Sequence, residues 1–321
     1  MWRRSTRWVP LAVLGVLAAV FVTGAIGASG KQGALDGKNV GVIICTNQNP
    51  FCAAWANSVK SGLEKQGASV TVLSSVFDPA VDAQNMNRLI ADKPDLIISV
   101  PASASAIVPS YIRAKAAGIP ILGAIGRQSA AGAKIVTAEA RTDDPALGRF
   151  AAMNLVEGMK RAGYKTGNVI ALTGTASQNN VTDRMATFKA YLKKFPQYKI
   201  VSIQDTNWDQ ATSAKVAQQL LSKYASKGGI QGAKQAGVPV GASKKNGLIV
   251  TGSNCLAVGI KSIQAGVQYG TGTQAPQVEA ALAVKVATQI LNGGKPPKVS
   301  YVQEQRITKA NVAKFTRLCT F

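Results

Sequence analysis

The sequence has no histidine, and its 15 acidic residues face 37 lysines and arginines. Without an imidazole there is no Ser-His-Asp arrangement, and the usual general base at neutral pH is missing. A zinc site would lack its nitrogen ligands, and the four cysteines are not spaced as CxxC. No GxGxxG follows a predicted strand, and there is no GxSxG nucleophile elbow. No catalytic residue, metal or cofactor is therefore expected, and the chain does not read as an enzyme.

The formal net charge is +22, a balance that first brings nucleic acid to mind. Its lysines are scattered, with no basic run longer than Lys244-Lys245 and no arginines interleaved with aromatics. No nucleic-acid partner is expected, and the charge bears on solubility and encounter rate rather than on fold. A content of 46% hydrophobic and 16% charged residues excludes a disordered chain.

The first residues read as a targeting segment. Arg3, Arg4 and Arg7 precede an uncharged apolar run from Val9, which closes in small residues up to Ser29 and Gly30. That order is a secretory signal peptide, expected over residues 1–29. The competing reading is a retained anchor over residues 9–28, which is about long enough to span a bilayer. Arg3-Arg4 gives weak support to twin-arginine export, and no cysteine lies near the cleavage point for lipid attachment. Cys45, Cys52, Cys255 and Cys319 fit an oxidising compartment and allow three pairings. Cys45 with Cys52 would staple one βα loop, and Cys255 with Cys319 would tie a second loop to the C-terminal segment.

Beyond the leader, strands and helices alternate. Residues 40–44, 70–73, 96–100 and 119–122 read as strands, with helices over 51–66, 79–92 and 104–117. The pattern restarts with helices over 145–162, 182–194, 209–224, 257–265 and 277–291. Its strands fall at 169–172, 199–204, 247–251 and 298–303. Residues 225–246 lack a convincing period and read as loop. Such alternation implies βαβ units, so the expected fold class is α/β: two doubly wound parallel-sheet lobes with a cleft between them. The stretch at residues 40–55, VGVIICTNQNPFCAAW, is a buried strand, a polar turn and a helix opened by Pro50. Ligands of open parallel sheets are held beyond the carboxyl ends of the strands, where this turn sits. The plainer alternative has Phe51 packing the helix entry.

The motifs resemble those of the periplasmic sugar-binding proteins of ABC importers, the ribose-binding-like (type I) cluster. The resemblance runs from Gly37 to Lys314. It is carried by Asn49-Pro50-Phe51, Asp95-Leu96-Ile97-Ile98 leading to Pro101, and Ala117-Gly118-Ile119-Pro120-Ile121. Asp144-Pro145-Ala146-Leu147-Gly148, Gly174-Thr175 and Arg184-Met185-Ala186-Thr187-Phe188 follow. The series ends with Gly270 to Pro276 and Thr308-Lys309-Ala310-Asn311-Val312.

The resemblance implies an N-terminal lobe of residues 38–142 plus 275–302 and a C-terminal lobe of 143–274 plus 303–321, joined by a multi-strand hinge. It further implies a periplasmic monomer that captures a sugar-like solute and delivers it to an inner-membrane permease. A sensor presenting the solute to a chemoreceptor or kinase is the alternative. The implied ligand residues are Phe51 with Asn49, Trp208 as the aromatic of the opposite lobe, Arg184, Gln274 and Asn254. Asp143, Thr175, Cys45 and Val100 complete the set, together with Cys52, which replaces the family's second aromatic. Trp208 could instead pack a helix entry, and Arg184 could be a surface residue. Three departures stand out. The family's Asp-Arg pair falls on Ile125 and Gly126, with Arg127 one step on, and its second-lobe Asp is Asn254. A strand–loop–helix unit expected near Gly232 looks missing. Carboxylates that would accept sugar hydroxyl protons are thus depleted; a monosaccharide remains the default that the resemblance implies, while a less hydroxylated, modified or anionic ligand gains ground.

Overall fold

The computed structural model describes residues 33–225, 230–234 and 247–321. The leader expected over residues 1–29 lies outside them. The first sheet is built from β1 (Asn39–Ile44), β2 (Ser69–Ser74), β3 (Leu96–Ser99), β4 (Ile121–Ile125), β5 (Ala138–Arg141) and, from much later, β11 (Val299–Tyr301). Its order is β11-β5-β4-β3-β1-β2, and every pairing is parallel. The second sheet holds β6 (Gly167–Thr173), β7 (Tyr198–Asp205), β8 (Ile230–Lys234), β9 (Val250–Thr251), β10 (Gly270–Gly272) and β12 (Arg306–Thr308). Its order is β12-β10-β9-β8-β6-β7, parallel except for β10 with β12. The run Val-Gly-Val-Ile-Ile of β1 is buried throughout, because helices cover both faces of a parallel sheet.

Helices begin where the sequence supplies a cap. Asn49 opens α1 (Pro50–Glu64), Asp78 opens α2 (Pro79–Asp92), and Asp143 opens α5 (Asp144–Arg161); each has proline in its first turn. The helix expected from residue 104 starts later, as α3 (Val108–Ala116), because the Ser103 hydroxyl accepts the Ala106 N–H and holds a turn there. The strand beginning at residue 119 likewise starts at Ile121. Neither α4 (Ala130–Ile135) nor β5 is evident in the pattern. On one face of the first sheet, Trp55, Val59 and Leu63 of α1 pack with Ala283, Val286 and Ala287 of α9 (Pro276–Leu291). Met86, Leu89 and Tyr111 fill the other face. In the second lobe α5 packs on α6 (Asn179–Leu192), burying Leu155, Met159 and Phe188. Burying each of these large side chains contributes about 1.5–3 kcal/mol.

The chain passes between the sheets three times: from β5 into α5, from β10 into α9, and from β11 into β12. The crossings are pinned by buried polar groups. Thr142 Oγ1 donates to Glu279 Oε1 at 2.5 Å and Thr273 Oγ1 donates to Glu304 Oε2 at 2.6 Å, while Gln305 N–H donates to Thr273 Oγ1 at 2.8 Å.

Two expectations are corrected. Residues 225–246 are not all loop: residues 230–234 form β8, hydrogen-bonded to β6 on one side and β9 on the other. The strand that looked missing near Gly232 is therefore present, and the rest of that unit lies outside the described residues. Cys45 and Cys52 do not pair: both are buried free thiols. Asn49 caps the helix, its side chain accepting the Cys52 N–H, and so seats Cys52 in the first turn as a free thiol. Cys255 and Cys319 are joined, with Cα atoms 5.2 Å apart. This ties the segment after the short 3-10 turn (Val312–Phe315) to the start of α8 (Ala257–Gln264).

Candidate functional site

The carboxyl ends of both sheets open on one cleft of about 700 Å³, counting its mouth. From the first lobe, the β1–α1 turn contributes Cys45, Asn49, Phe51 and Cys52. Phe77 follows β2, Val100 follows β3, Ile125 ends β4, and residues 126–128 follow it. From the second lobe come residues 178–180 and Arg184 of the α6 entry, Trp208 after β7, Asn254 after β9, and Gln274 at a crossing.

Several of these side chains are held by unusual backbone. Phe77 (φ 60°), Ile125 (φ 64°) and Trp208 (φ 60°) are non-glycine residues in the left-handed region, and each faces the cleft. Such conformations persist where the surroundings over-determine them, and they gather at ligand sites. Trp208 needs a neighbour without a side chain: a Cβ on Gly174 would fall 1.8 Å from Trp208 Cε2. Its indole N–H donates to Gln178 Oε1 at 2.7 Å, which fixes the ring.

Arg184 is only 1% exposed. Its Nε donates to Asp144 Oδ1 at 2.7 Å, and its guanidinium carbon lies 5.8 Å from the Trp208 ring centre. Nη1 and Nη2 are buried without a protein partner. A buried charged donor left unpaired is costly, so this fork is set for oxygen atoms that the protein does not supply. Further along the α6 entry, Arg127 forms a two-pronged pair with Asp183, both bonds at 2.9 Å.

Behind the wall stand three buried acids. Burial pushes the Asp144 carboxyl up against the pull of Arg184, and it raises Glu279 well above the usual carboxylate range. Glu304 is pushed up to about 7, again chiefly by burial. Among the described lining residues there is no aspartate or glutamate.

Nine of the eleven residues singled out from the sequence line this cleft: Cys45, Asn49, Phe51, Cys52, Val100, Arg184, Trp208, Asn254 and Gln274. Asp143 and Thr175 do not. Asp143 spends its carboxylate on the N–H of Ala146 as the cap of α5. Thr175 sits in the turn after β6, its hydroxyl buried without a partner. Sequence reasoning missed Phe77, Gln128 and residues 178–180. The consecutive amides Gln178-Asn179-Asn180, placed at a helix entry in the connection after a strand, were the available signal. Asp144 was in view as part of a motif, without its role as the partner of Arg184.

The fold and the cleft define a solute-binding protein of the two-lobed periplasmic type. The family model for the periplasmic binding protein domain matches residues 40–295, and the chain belongs to that family. It is similar to the xylitol-binding protein of Mycolicibacterium smegmatis (23% identity, covering 93% of this chain and 86% of that protein). It is similar also to the D-apiose import binding protein of Paraburkholderia graminis (26% identity, 97% of each). A crystal structure of a Mycobacterium smegmatis ABC transporter solute-binding protein with bound glycerol superposes with a TM-score of 0.77, at 19% identity over 87% of this chain and 96% of that one.

Proposed function

We propose that this protein captures a sugar-like polar solute between two closing lobes and delivers it to an ABC permease in the inner membrane. On this reading the leader is a cleaved signal peptide, the mature chain is a periplasmic monomer, and its lobes are residues 38–142 with 275–302 and residues 143–274 with 303–321. The three crossings would act as the hinge, and the solute would shift the open–closed balance by its greater affinity for the closed form. Phe51 and Trp208 offer ring faces for C–H packing, while Arg184, Gln274 and the amides supply hydrogen bonds. No chemical step is required of the site.

The observation that carries the reading is the buried Arg184 fork, anchored through Nε and free at both Nη atoms inside a cleft shared by both lobes. The names of the relatives support a carbohydrate or polyol as the solute. Thermal melts of the purified mature protein with D-ribose, D-apiose, xylitol, D-arabinose, D-allose, myo-inositol and glycerol test it. A ligand at 100 times its Kd stabilises by about 2.7 kcal/mol, or roughly 5–10 °C for a domain of this size. Failure of all such compounds, and of their acidic derivatives, to shift the melt would overturn the reading.

A further inference from the structure

The lining of the cleft is unbalanced between donors and acceptors. Among the described lining residues there is no carboxylate, so amide oxygens are the main side-chain acceptors there, and several of these are already in use. Asn49 Oδ1 accepts from the N–H groups of Phe51 and Cys52. Gln128 Oε1 accepts from the Tyr111 hydroxyl, Gln178 Oε1 from the Trp208 indole, and Asn180 Oδ1 from the N–H of Val181. Their NH₂ groups are not so engaged, and Gln128 Nε2 is buried with no partner. Added to Arg184 Nη1 and Nη2, the site offers strong donors and few open acceptors. A neutral sugar has a donating hydroxyl for every accepting one and would leave protons unmatched here. A ligand rich in acceptors and poor in donors fits better.

We propose that the solute is a sugar acid, whose carboxylate sits on the Nη1 and Nη2 atoms of Arg184 while its carbon skeleton packs toward Phe51 and Trp208. The inference rests on the solute-capture reading above and names its ligand class. A planar pair of oxygens is the partner that a guanidinium fork satisfies in full, through two parallel charge-assisted bonds. The acids behind the wall do not cancel the attraction. Asp144 holds the Nε edge and leaves the other edge free, and Glu279 and Glu304 are tied to the Thr142 and Thr273 hydroxyls. Burial favours their uncharged forms. At longer range, the mature chain stays strongly cationic, at +19 once the three leader arginines are taken from the full-length +22, and this raises the local concentration of anions and speeds their arrival.

The test is calorimetric titration of the purified mature protein at pH 7 with matched pairs: D-galactose and D-galacturonate, D-glucose and D-gluconate, D-xylose and D-xylonate. At least one acid should bind ten-fold or more tightly than its neutral counterpart. That preference should shrink with added salt, and it should shrink in an Arg184→Lys variant whose melt matches the wild type. If that variant does not fold, the wild-type pairs and their salt dependence decide the matter. Neutral sugars binding as tightly as their acids, or more tightly, would overturn this inference and leave solute capture standing. No binding by any of the six compounds overturns the assignment to sugar acids, and only failure across the wider panel overturns solute capture itself.

Discussion

The rings of Phe51 and Phe321 meet edge to face, with centroids 5.9 Å apart and planes at 72°. Phe51 belongs to the first turn of α1 in the first lobe. Phe321 belongs to a segment held on the second lobe by the Cys255–Cys319 bond and by the Ala257 N–H, which donates to the Phe321 carbonyl at 3.3 Å. One aromatic pair thus links the two halves of the molecule beside the cleft. Such pairs are worth about 0.5–1.5 kcal/mol beyond their buried area. Phe321→Ala should weaken solute binding about 2- to 12-fold, mainly through faster release; stopped-flow dissociation rates check this.

The same tether carries a stability prediction. Cys255 and Cys319 lie 64 residues apart, and closing a loop of that length is worth about 4 kcal/mol in the chain-entropy model. The Cys255→Ser/Cys319→Ser protein should lose about 2–4 kcal/mol and melt several degrees lower. Reducing agent should lower the wild-type melt by a similar amount and leave the double variant unmoved. Scanning calorimetry with and without reductant measures both.

Gly174 separates site geometry from fold. A methyl group there meets the Trp208 indole, not the hydrophobic core, so Gly174→Ala must displace the ring from the cleft. Binding should fall at least ten-fold while far-UV circular dichroism stays that of the wild type. A variant that binds normally would show that Trp208 does not contact the solute.

Stability should depend on pH through two buried acids, Glu304 at a crossing and Asp82 in α2. Glu304 titrates near 7 in the fold, and Asp82, held by burial and bonded to the Ala102 N–H, titrates near 6. Both values lie above those of an unfolded chain. Their favourable contribution is therefore full below about pH 4 and is lost as pH rises through 6 and 7. Asp95 and Glu157 are shifted down by their hydrogen-bond partners, and their contribution is lost only at still lower pH. The melting temperature should fall between pH 5 and pH 8, and Glu304→Gln should flatten that slope. A melt that rises over this range would contradict the assignment.

The sequence revealed the α/β alternation because buried parallel strands are continuous apolar runs, as in β1 and β3. It hid the strands that break this rule. β5 reads Ala-Glu-Ala-Arg, and its charges are tolerated because Glu139 and Arg141 pair with each other. β10 is Gly-Thr-Gly, and β8 has one β-branched residue in five. Cleft residues lying in recognisable turns, such as Asn49, Phe51 and Trp208, could be picked out one by one. The acids behind Arg184 could not, because Glu279 meets Thr142 across 137 residues of chain and no local pattern announces the contact. Asp143 stays out of the cleft lining for the opposite reason: a strong local use, the cap of α5, engages its Oδ1.

The most direct measurement follows the fluorescence of the mature protein, in which the expected leader cleavage leaves Trp55 in the core and Trp208 in the cleft. Neutral sugars, polyols and sugar acids would be titrated in turn, alongside a Trp208→Phe control. Capture of a solute by the two lobes predicts a saturable change with at least one compound, absent from the control and weakened in Arg184→Lys. A flat response to every compound, or a change that persists without Trp208, would contradict it.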